Sequence, residues 1–518
     1  MSPTNQMLGL ALALLASSCS DPPTPPTRVL LVGWDGASFA HFEHLLAEGR
    51  MPTVEGLLQR GARAPLQSSV IPISSAAWPA LFTGQSPGHT GVYSFFENVP
   101  DTYEQTLVNS RSVRVAPLWR ILTRRGLPSI VFGVPITYPP EPILGTLVAG
   151  MLSPFDADYA WPPGYAATLR ARHFVPDLES WKEDWQSTWG DLEDHLRVKE
   201  EALRERLETQ PWRLCFAVFK SPDVVAHKSY GTDLATNLDP LYERLDAILG
   251  RLIETVGPDT NVLLVSDHGF RTYNRGFNLH AWLVAEGFAK RKAGSPSVLL
   301  DQGVIEDMMR SERTDLLAEL VLEETSAYAT RCEGNFGSLR LNLVGREPKG
   351  SVDPEDREGV LGSIESRLRA HPRVRQVWLA EELYPGPNRL SLPDLMFEIE
   401  EGIQVFAERG AQVVGDYPHP LHDHDRHGIL VAAGPAFRHV AKGEMRQLID
   451  IAPTVLHLLQ EPIPSNMEGE LPFQWLRTSH PVRVSPAHIE EARSPERAFT
   501  PEELRELEER LSALGYGD

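Results

Sequence analysis

Cysteine is scarce in this chain. Its 518 residues include three cysteines, Cys19, Cys215 and Cys332, and no two of them form a CxxC pair. Neither a disulfide framework nor a cysteine-ligated zinc finger is therefore supported. Cys215 lies within an apolar run, where we expect it to be a small core residue.

Basic residues are outnumbered by acidic ones in this chain. Asp and Glu number 70 against 49 Lys and Arg, which gives a net charge of −21. This balance argues against nucleic acid as a partner and against a basic membrane-binding face. It does not oppose a small phosphorylated substrate, because bound divalent cations would reverse the local field.

The apolar run at the N-terminus, residues 8–16, is too short to cross a membrane, and the first 27 residues contain no Lys or Arg. Its length suits the core of a signal peptide, and the small residues before Cys19 resemble a bacterial lipoprotein signal. We therefore predict that residues 1–27 are a leader with a Pro-rich tether. The protein would be exported to the periplasm or anchored to the membrane through lipidated Cys19, and the alternative is a disordered N-terminal tail.

The segment NVLLVSDHGF at residues 261–270 organises the rest of the chain. Residues 262–265 are apolar and rich in β-branched side chains, which predicts a buried strand of a parallel sheet. Asp267 and His268 follow this strand directly. Because parallel sheets bind their ligands just outside the carboxyl ends of the strands, the pair is a candidate metal or phosphate site.

Two further apolar runs end in the same way. RVLLVGWDG at residues 28–36 delivers Asp35, and LCFAVFKSPD at residues 214–223 delivers Asp223, with His227 four residues later. On a helical turn this spacing places Asp223 and His227 on one face. Aspartates at three strand ends would repel one another unless a cation lies between them, so the pattern predicts a metal site.

Ser74 and Ser75 precede a short apolar run of mostly helix-forming residues. One interpretation makes a serine the N-cap of that helix. The other makes it a nucleophile whose alkoxide is stabilised by the helix dipole and a metal. The local sequence alone favours the N-cap.

Four histidines lie within residues 419–427, directly before an apolar run that predicts a strand at 429–433. A solvated, pH-sensitive loop is one interpretation of this segment. With three aspartates already placed at strand ends, we favour a metal ligand among these histidines.

The order of these motifs resembles the alkaline phosphatase superfamily, and within it the type I phosphodiesterase/nucleotide pyrophosphatase family. Segments such as WDGASF, AWPALFTGQSPGHTGVYSF and IDIAPTVLHLL fit its bacterial predicted phosphodiesterases. The resemblance implies an α/β fold: an alkaline phosphatase-like sandwich with a central, mostly parallel sheet flanked by helices. We expect the catalytic domain at residues 28–480, an inserted smaller α+β cap at about 285–415, and a C-terminal connector and helix at 481–518.

The resemblance also implies two adjacent divalent metal ions, for which we expect zinc, with manganese as the alternative. One ion would be held by the nucleophile oxygen together with Asp35, Asp267 and His268. The other would be held by Asp223, His227 and a late histidine, for which we choose His424 over His422 and His427.

Ser74 is the nucleophile that the resemblance implies, with Ser75 as the alternative. The expected enzyme is a metal-dependent phosphoric ester hydrolase, a phosphodiesterase or phosphatase that works through a seryl-phosphate intermediate. Phe95 stands where nucleotide pyrophosphatases place an asparagine, so nucleotide specificity is not supported.

Other activities of the superfamily remain as alternatives: a phosphonate hydrolase, a sulfatase-like hydrolase or a phosphoethanolamine-type transferase. A non-catalytic envelope lipoprotein is the alternative from a different class. Lys220, Asn278 and His280 are candidates to contact phosphoryl oxygens, although we favour core or surface roles for them.

Overall fold

The computed structural model describes residues 27–176, 185–229, 234–293, 316–407, 412–477, 480–487 and 498–513. The predicted leader with Cys19 lies outside these ranges, so export and lipid anchoring stay predictions. None of the helices in the described ranges is long and apolar enough to cross a membrane.

The strands are numbered in chain order. They are β1 Arg28–Trp34, β2 Ala62–Gln67, β3 Phe96–Asn98, β4 Gln105–Leu107, β5 Ser129–Val134, β6 Gly145–Ala149, β7 Ala160–Trp161, β8 Leu214–Phe219, β9 Thr260–Val265, β10 Gly269–Asn278, β11 Ala327–Ala329, β12 Phe336–Leu341, β13 Val374–Leu379, β14 Leu395–Ile399, β15 Ile403–Phe406, β16 Val414–Asp425, β17 His427–Ala433, β18 Arg446–Gln447, β19 Ile463–Pro464 and β20 Val484–Ser485.

The helices are numbered in the same way. They are α1 Phe39–Ala47, α2 Pro52–Arg60, α3 Ser74–Thr83, α4 Pro87–Thr90, α5 Leu118–Arg124, α6 Tyr165–Arg170, α7 Trp185–Thr209, α8 Ser221–Lys228, α9 Leu234–Val256, α10 Leu279–Ala285, α11 Arg357–Ala370, α12 Ala380–Leu383, α13 Ile451–Leu458 and α14 Pro501–Ala513. Short 3-10 helices span Leu316–Glu319, Leu322–Glu324, Pro354–Asp356, Arg389–Ser391, Leu448–Asp450 and Phe473–Trp475.

A nine-stranded sheet forms the centre of the molecule, in the order β18-β2-β17-β9-β1-β8-β5-β6-β7. β1 lies between β9 and β8 and is parallel to both, so that Val32 pairs with Leu264 on one side and Ala217 on the other. β17 runs antiparallel to β9. The uninterrupted apolar runs of β8 and β9 are buried along their whole length, as expected for strands covered on both faces.

Helices cover both faces of this sheet, and two successive residues of β1 show how. Trp34 packs against Phe42 of α1 and Tyr242 of α9. Gly33 points to the opposite face, where a Cβ atom would lie 2.4 Å from Cη2 of Trp78 in α3, so glycine allows α3 to approach the sheet closely. A central, mostly parallel sheet flanked by helices confirms the predicted fold class.

A smaller α+β unit with its own core adjoins the central sheet. It contains the four-stranded sheet β11-β12-β14-β13 and the three-stranded sheet β15-β10-β16. Its buried core residues run from Phe277 to Val405 and include residues of α10 and α11. The histidine-rich segment belongs to the second of these sheets, because Val414–Asp425 is strand β16 paired with β10. The interpretation of this segment as a solvated loop is therefore wrong.

Candidate metal centre and nucleophile

Three parallel strands carry the predicted aspartates to one edge of the central sheet. Asp35 follows β1, Asp267 follows β9, and Asp223 lies in the first turn of α8, which follows β8. Since β9, β1 and β8 are adjacent and parallel, their carboxyl ends lie side by side. The topology therefore brings the three carboxylates together.

The other two predicted histidine ligands, His227 and His424, reach the same edge of the sheet from different elements. His227 lies one helical turn after Asp223 in α8. His424 lies near the end of β16, just before β17, and β17 enters the sheet at the edge where β9 leaves it because the two strands are antiparallel. His424 is fully buried there.

Asp35, Asp267 and His268 form the first cluster, and all three side chains are fully buried. Nε2 of His268 lies 3.6 Å from Oδ1 of Asp35 and 3.4 Å from Oδ2 of Asp267. One potential ligand atom from each residue lies within 4.8 Å of the others. The cluster offers two carboxylate oxygens and one imidazole nitrogen to a single point.

Asp223, His227 and His424 form the second cluster. Nε2 of His227 lies 3.0 Å from Nε2 of His424, and both nitrogens face Oδ1 of Asp223, at 3.5 Å and 3.3 Å. The two clusters adjoin, since the rings of His268 and His424 stack with their centroids 3.8 Å apart. The arrangement is that of two neighbouring cation sites.

Ser74 faces the first cluster. Its Oγ donates a hydrogen bond to Oδ1 of Asp35 at 3.3 Å and lies 3.1 Å from Nε2 of His268. It is the first residue of α3, whose N-cap is Ile73 and has no side-chain capping bond. The N-cap interpretation of Ser74 and Ser75 is therefore wrong, because both serines lie inside the helix. Oγ of Ser75 is buried and has no hydrogen-bond partner within the described residues.

The site buries three carboxylates close together, and the pKa values of its residues reflect this. Burial, reinforced by Asp267 and Asp223, raises the pKa of Asp35 well above the usual range of a carboxyl. Burial opposes ionisation of Asp223, yet His227 and His424 hold its pKa below the usual range. Burial lowers the pKa of His227 and His268 to about 4, which favours the neutral imidazoles that bind metals.

The donor set fits divalent cations. Oδ1 of Asp267 accepts a hydrogen bond from the Gly36 N–H at 3.3 Å, whereas Oδ2 is buried and has no hydrogen-bond partner in the part of the chain that is described. An unsatisfied buried carboxylate oxygen is costly unless an ion completes it. Oxygen and nitrogen ligands in this mixture suit a transition-metal dication. The residues of both clusters would therefore hold one cation each.

The alternative histidines lie away from the clusters. Nδ1 of His422 contacts Oγ1 of Thr272 at 3.0 Å, and His427 is exposed, with its Nδ1 3.4 Å from Oδ1 of Asp425. Neither belongs to a potential metal cluster of the described residues. The geometry favours His424 as the late ligand.

The candidate contacts to phosphoryl oxygens fall into two groups. Asn278 caps α10 by accepting the Ala281 N–H at 3.2 Å, and His280 is buried in α10. Asn278 therefore has a structural role at the start of this helix. Lys220 is different, because its positive charge partly offsets the rise in the pKa of Asp35 and helps to lower the pKa of Asp223.

Two contacts to the site were missed in the sequence. Nε1 of Trp78 donates to Oδ2 of Asp35 at 2.9 Å and fixes that carboxylate from α3. Trp78 stands four residues after Ser74, so helical spacing gave a signal that it faces the same way. Glu333 of the smaller unit lies 3.3 Å from Nδ1 of His424, and no sequence motif marks it.

Comparisons with known proteins show the family and the fold. The sequence model of the type I phosphodiesterase / nucleotide pyrophosphatase family matches residues 29–430. No curated protein matches significantly. Human ectonucleotide pyrophosphatase / phosphodiesterase 5 is similar in structure, with a TM-score of 0.50 and 16% identity, covering 87% of this chain and 100% of its own.

Phosphonoacetate hydrolase from Sinorhizobium meliloti 1021, solved in complex with phosphonoacetate, is also similar. Its TM-score is 0.53 at 15% identity, and the match covers 84% of this chain and 96% of the hydrolase. At such low identity these neighbours bear on the fold alone.

Proposed function

The chain belongs to the type I phosphodiesterase/nucleotide pyrophosphatase family and is a metal-dependent phosphoric ester hydrolase, and we propose that Ser74 is its nucleophile. We also propose that it binds two cations, one of them held by Asp35, Asp267 and His268. The second cation would be held by Asp223, His227 and His424. The observation that carries this proposal is the position of Ser74 Oγ within 3.3 Å of both Asp35 and His268.

The bound cations would stabilise charge on the phosphoryl oxygens as Lewis acids and would lower the pKa of a coordinated hydroxyl. Nitrogen and oxygen ligands in this combination favour zinc, with manganese as the alternative. The nucleophile and the groups that orient it are residues of the protein.

Ser74 is prepared for attack by its surroundings. Its hydroxyl is oriented by Oδ1 of Asp35, which is itself held in place through the indole N–H of Trp78 on its other oxygen. Ser74 is also the first residue of a ten-residue helix, whose dipole favours negative charge at that end. The contact with Asp35 orients the hydroxyl before attack, and the helix dipole stabilises the oxyanion that forms as the proton leaves Oγ.

The proposed reaction has two displacements. In the first, Oγ of Ser74 forms a bond to phosphorus, the bond between phosphorus and the leaving oxygen breaks, and the proton lost from Oγ ends on the departing alcohol, which gives a seryl phosphate. In the second, water attacks the same phosphorus, the bond to Oγ breaks, and one proton of the water ends on Oγ, which restores the serine and releases the phosphorylated product.

We propose a small phosphodiester as the substrate. The side chain at Phe95 is apolar and fully buried, so it cannot supply the polar contact that an asparagine makes there in nucleotide pyrophosphatases. This favours an ester without a nucleotide requirement.

The proposal is tested by hydrolysis of bis(p-nitrophenyl) phosphate and p-nitrophenyl phosphate by the purified protein after addition of zinc or manganese. We expect a higher kcat/KM for the diester. A higher value for the monoester would make the protein a phosphatase. Hydrolysis of neither ester with either metal would contradict the proposed function.

A further inference from the structure

The two clusters differ in the negative charge that they offer to a cation. The first contains two carboxylates, those of Asp35 and Asp267, which together match the charge of one dication. The second contains the single carboxylate of Asp223 beside two imidazoles. A dication at the second cluster would therefore keep an excess positive charge in a buried region, which is costly unless another anion lies close by.

Glu333 is a buried acidic residue just outside that cluster. Its carboxylate is almost fully buried, with 5% of the side chain exposed, and Oε1 lies 3.3 Å from Nδ1 of His424. The residue belongs to the smaller unit and lies between β11 and β12. Arg331 holds the other carboxylate oxygen, since its Nε donates to Oε2 at 2.9 Å.

The same nitrogen of His424 also contacts the backbone. Nδ1 lies 2.7 Å from the carbonyl oxygen of Pro72, which accepts a hydrogen bond from an Nδ1–H. This fixes the tautomer of His424, leaving Nε2 to face Asp223 and His227. Nδ1 therefore lies against both the carbonyl oxygen of Pro72 and the carboxyl group of Glu333.

A third cation between Glu333, Asp423 and His424 is the competing interpretation of this cluster. The oxygens of Asp423 are already occupied: Oδ1 accepts the His424 N–H at 2.7 Å, and Oδ2 accepts the Gly334 N–H at 3.0 Å as well as a hydrogen bond from Gln404. Nδ1 of His424 is occupied by Pro72. The cluster is thus completed by protein donors and acceptors, and a cation is not needed to explain it.

We propose that Glu333 is a positioning residue of the second cation site: its carboxylate, set 3.3 Å behind His424, supplies the negative charge that Asp223 alone does not. The inference rests on the proposed function, because it assumes a cation at Asp223, His227 and His424. A carboxylate behind a metal-bound imidazole makes that imidazole a stronger ligand. The smaller unit thereby contributes to the metal centre directly.

The carboxylate also favours a proton on His424, so the net effect on metal binding must be considered. When a dication replaces a proton at Nε2, the local charge rises by one unit. A nearby negative charge stabilises the more positive state more strongly. Removing the charge of Glu333 therefore weakens metal binding even after the competing proton is counted.

The test is a zinc titration of the metal-stripped full-length protein against a chromophoric chelator, comparing wild type with Glu333→Gln. Wild type is expected to bind about two equivalents. In Glu333→Gln the affinity for one equivalent should fall by about 10-fold to 100-fold, as for other residues behind metal ligands, while the other equivalent is unchanged. The glutamine keeps the size of the side chain, and Pro72 still orients His424.

Glu347→Gln is the matched control. Glu347 is a buried glutamate of the same unit, paired with Arg340 through a 2.8 Å hydrogen bond, and it touches none of the proposed ligands. Its variant should bind both equivalents as wild type does. Should Glu333→Gln fail to fold, Arg331→Lys replaces it. Two guanidinium nitrogens of Arg331 donate to Oε2 of Glu333, and the single ammonium group of a lysine cannot reproduce both hydrogen bonds. Weaker binding of one metal equivalent, with the other unchanged, is again the expected result.

Equal affinity of Glu333→Gln and wild type for both equivalents would overturn the inference, and so would an equal weakening of both. Three tight equivalents in the wild type would favour the third cation instead. Wild-type protein that binds no zinc would contradict the proposed function itself, so the two failures are distinguishable.

Discussion

Replacing Ser74 with alanine is expected to abolish turnover while the metal content stays at the wild-type value. Oγ of Ser74 is the proposed attacking atom, so its removal leaves no nucleophile; such losses reduce kcat by a factor on the order of 10⁴ to 10⁶ in other enzymes. The helix should survive, because the N-cap is Ile73 and alanine is a good helix former. The measurement is kcat for the diester together with metal analysis of the same preparation.

Ser75→Ala is the control for this experiment. Ser75 is equally buried and next in the chain, but its Oγ makes no hydrogen bond to the clusters within the described residues. Its variant should retain activity. If Ser75→Ala is inactive and Ser74→Ala is active, the nucleophile is Ser75. If both are active, the seryl-phosphate mechanism is wrong.

Asp267→Asn should reduce activity to near background and lower the metal content from about two equivalents to about one. The amide oxygen can still accept the hydrogen bond from Gly36, so the local backbone is kept. The amide removes one of the two negative charges of the first cluster and places a nitrogen where a carboxylate oxygen faced the cation. The loss is therefore one of metal binding rather than of folding.

Asp246→Asn provides the comparison. Asp246 is also buried and accepts backbone N–H groups, those of Thr53 at 3.0 Å and Val54 at 2.8 Å, but it lies outside both clusters. Its variant is expected to be less stable but to keep the metal content of the wild type, and only the metal content is compared. Unchanged metal content in Asp267→Asn would remove the first cluster from the account.

The meeting of the three aspartates at one edge of the central sheet was predictable, because the sequence signals for it are local. An apolar run long enough for a strand and followed by an aspartate appears at Asp35, Asp223 and Asp267, and parallel strands place such ends together by geometry. The prediction that Asp223 and His227 lie on one face required a helical turn between them, and both residues lie in α8. These inferences required no knowledge of distant contacts.

The role of Ser74 was not predictable from its neighbours. A serine before a helix is usually a cap, and the local sequence favoured that interpretation, yet the extended backbone at Ile73 starts the helix one residue earlier. The prediction that Ser74 belongs to the site came from the family resemblance and not from the local sequence.

The late histidine illustrates a second limit. His422 and His424 are two residues apart on β16 and so point to the same face of their sheet, which means that alternation cannot separate them. Their distance from the central sheet edge separates them, and it depends on the pairing of His424 with Phe270 in β10. Glu333 was missed for a similar reason, since it reaches His424 only through the packing of the smaller unit.

Metal analysis of the purified wild-type protein, before and after chelation, tests whether the protein works through a pair of bound cations. We expect about two equivalents of zinc or manganese per chain, loss of diester hydrolysis when they are removed, and recovery when they are restored. Full hydrolysis by protein stripped of metal, or failure to bind either metal on addition, would contradict a paired cation site at the ends of β1, β8 and β9.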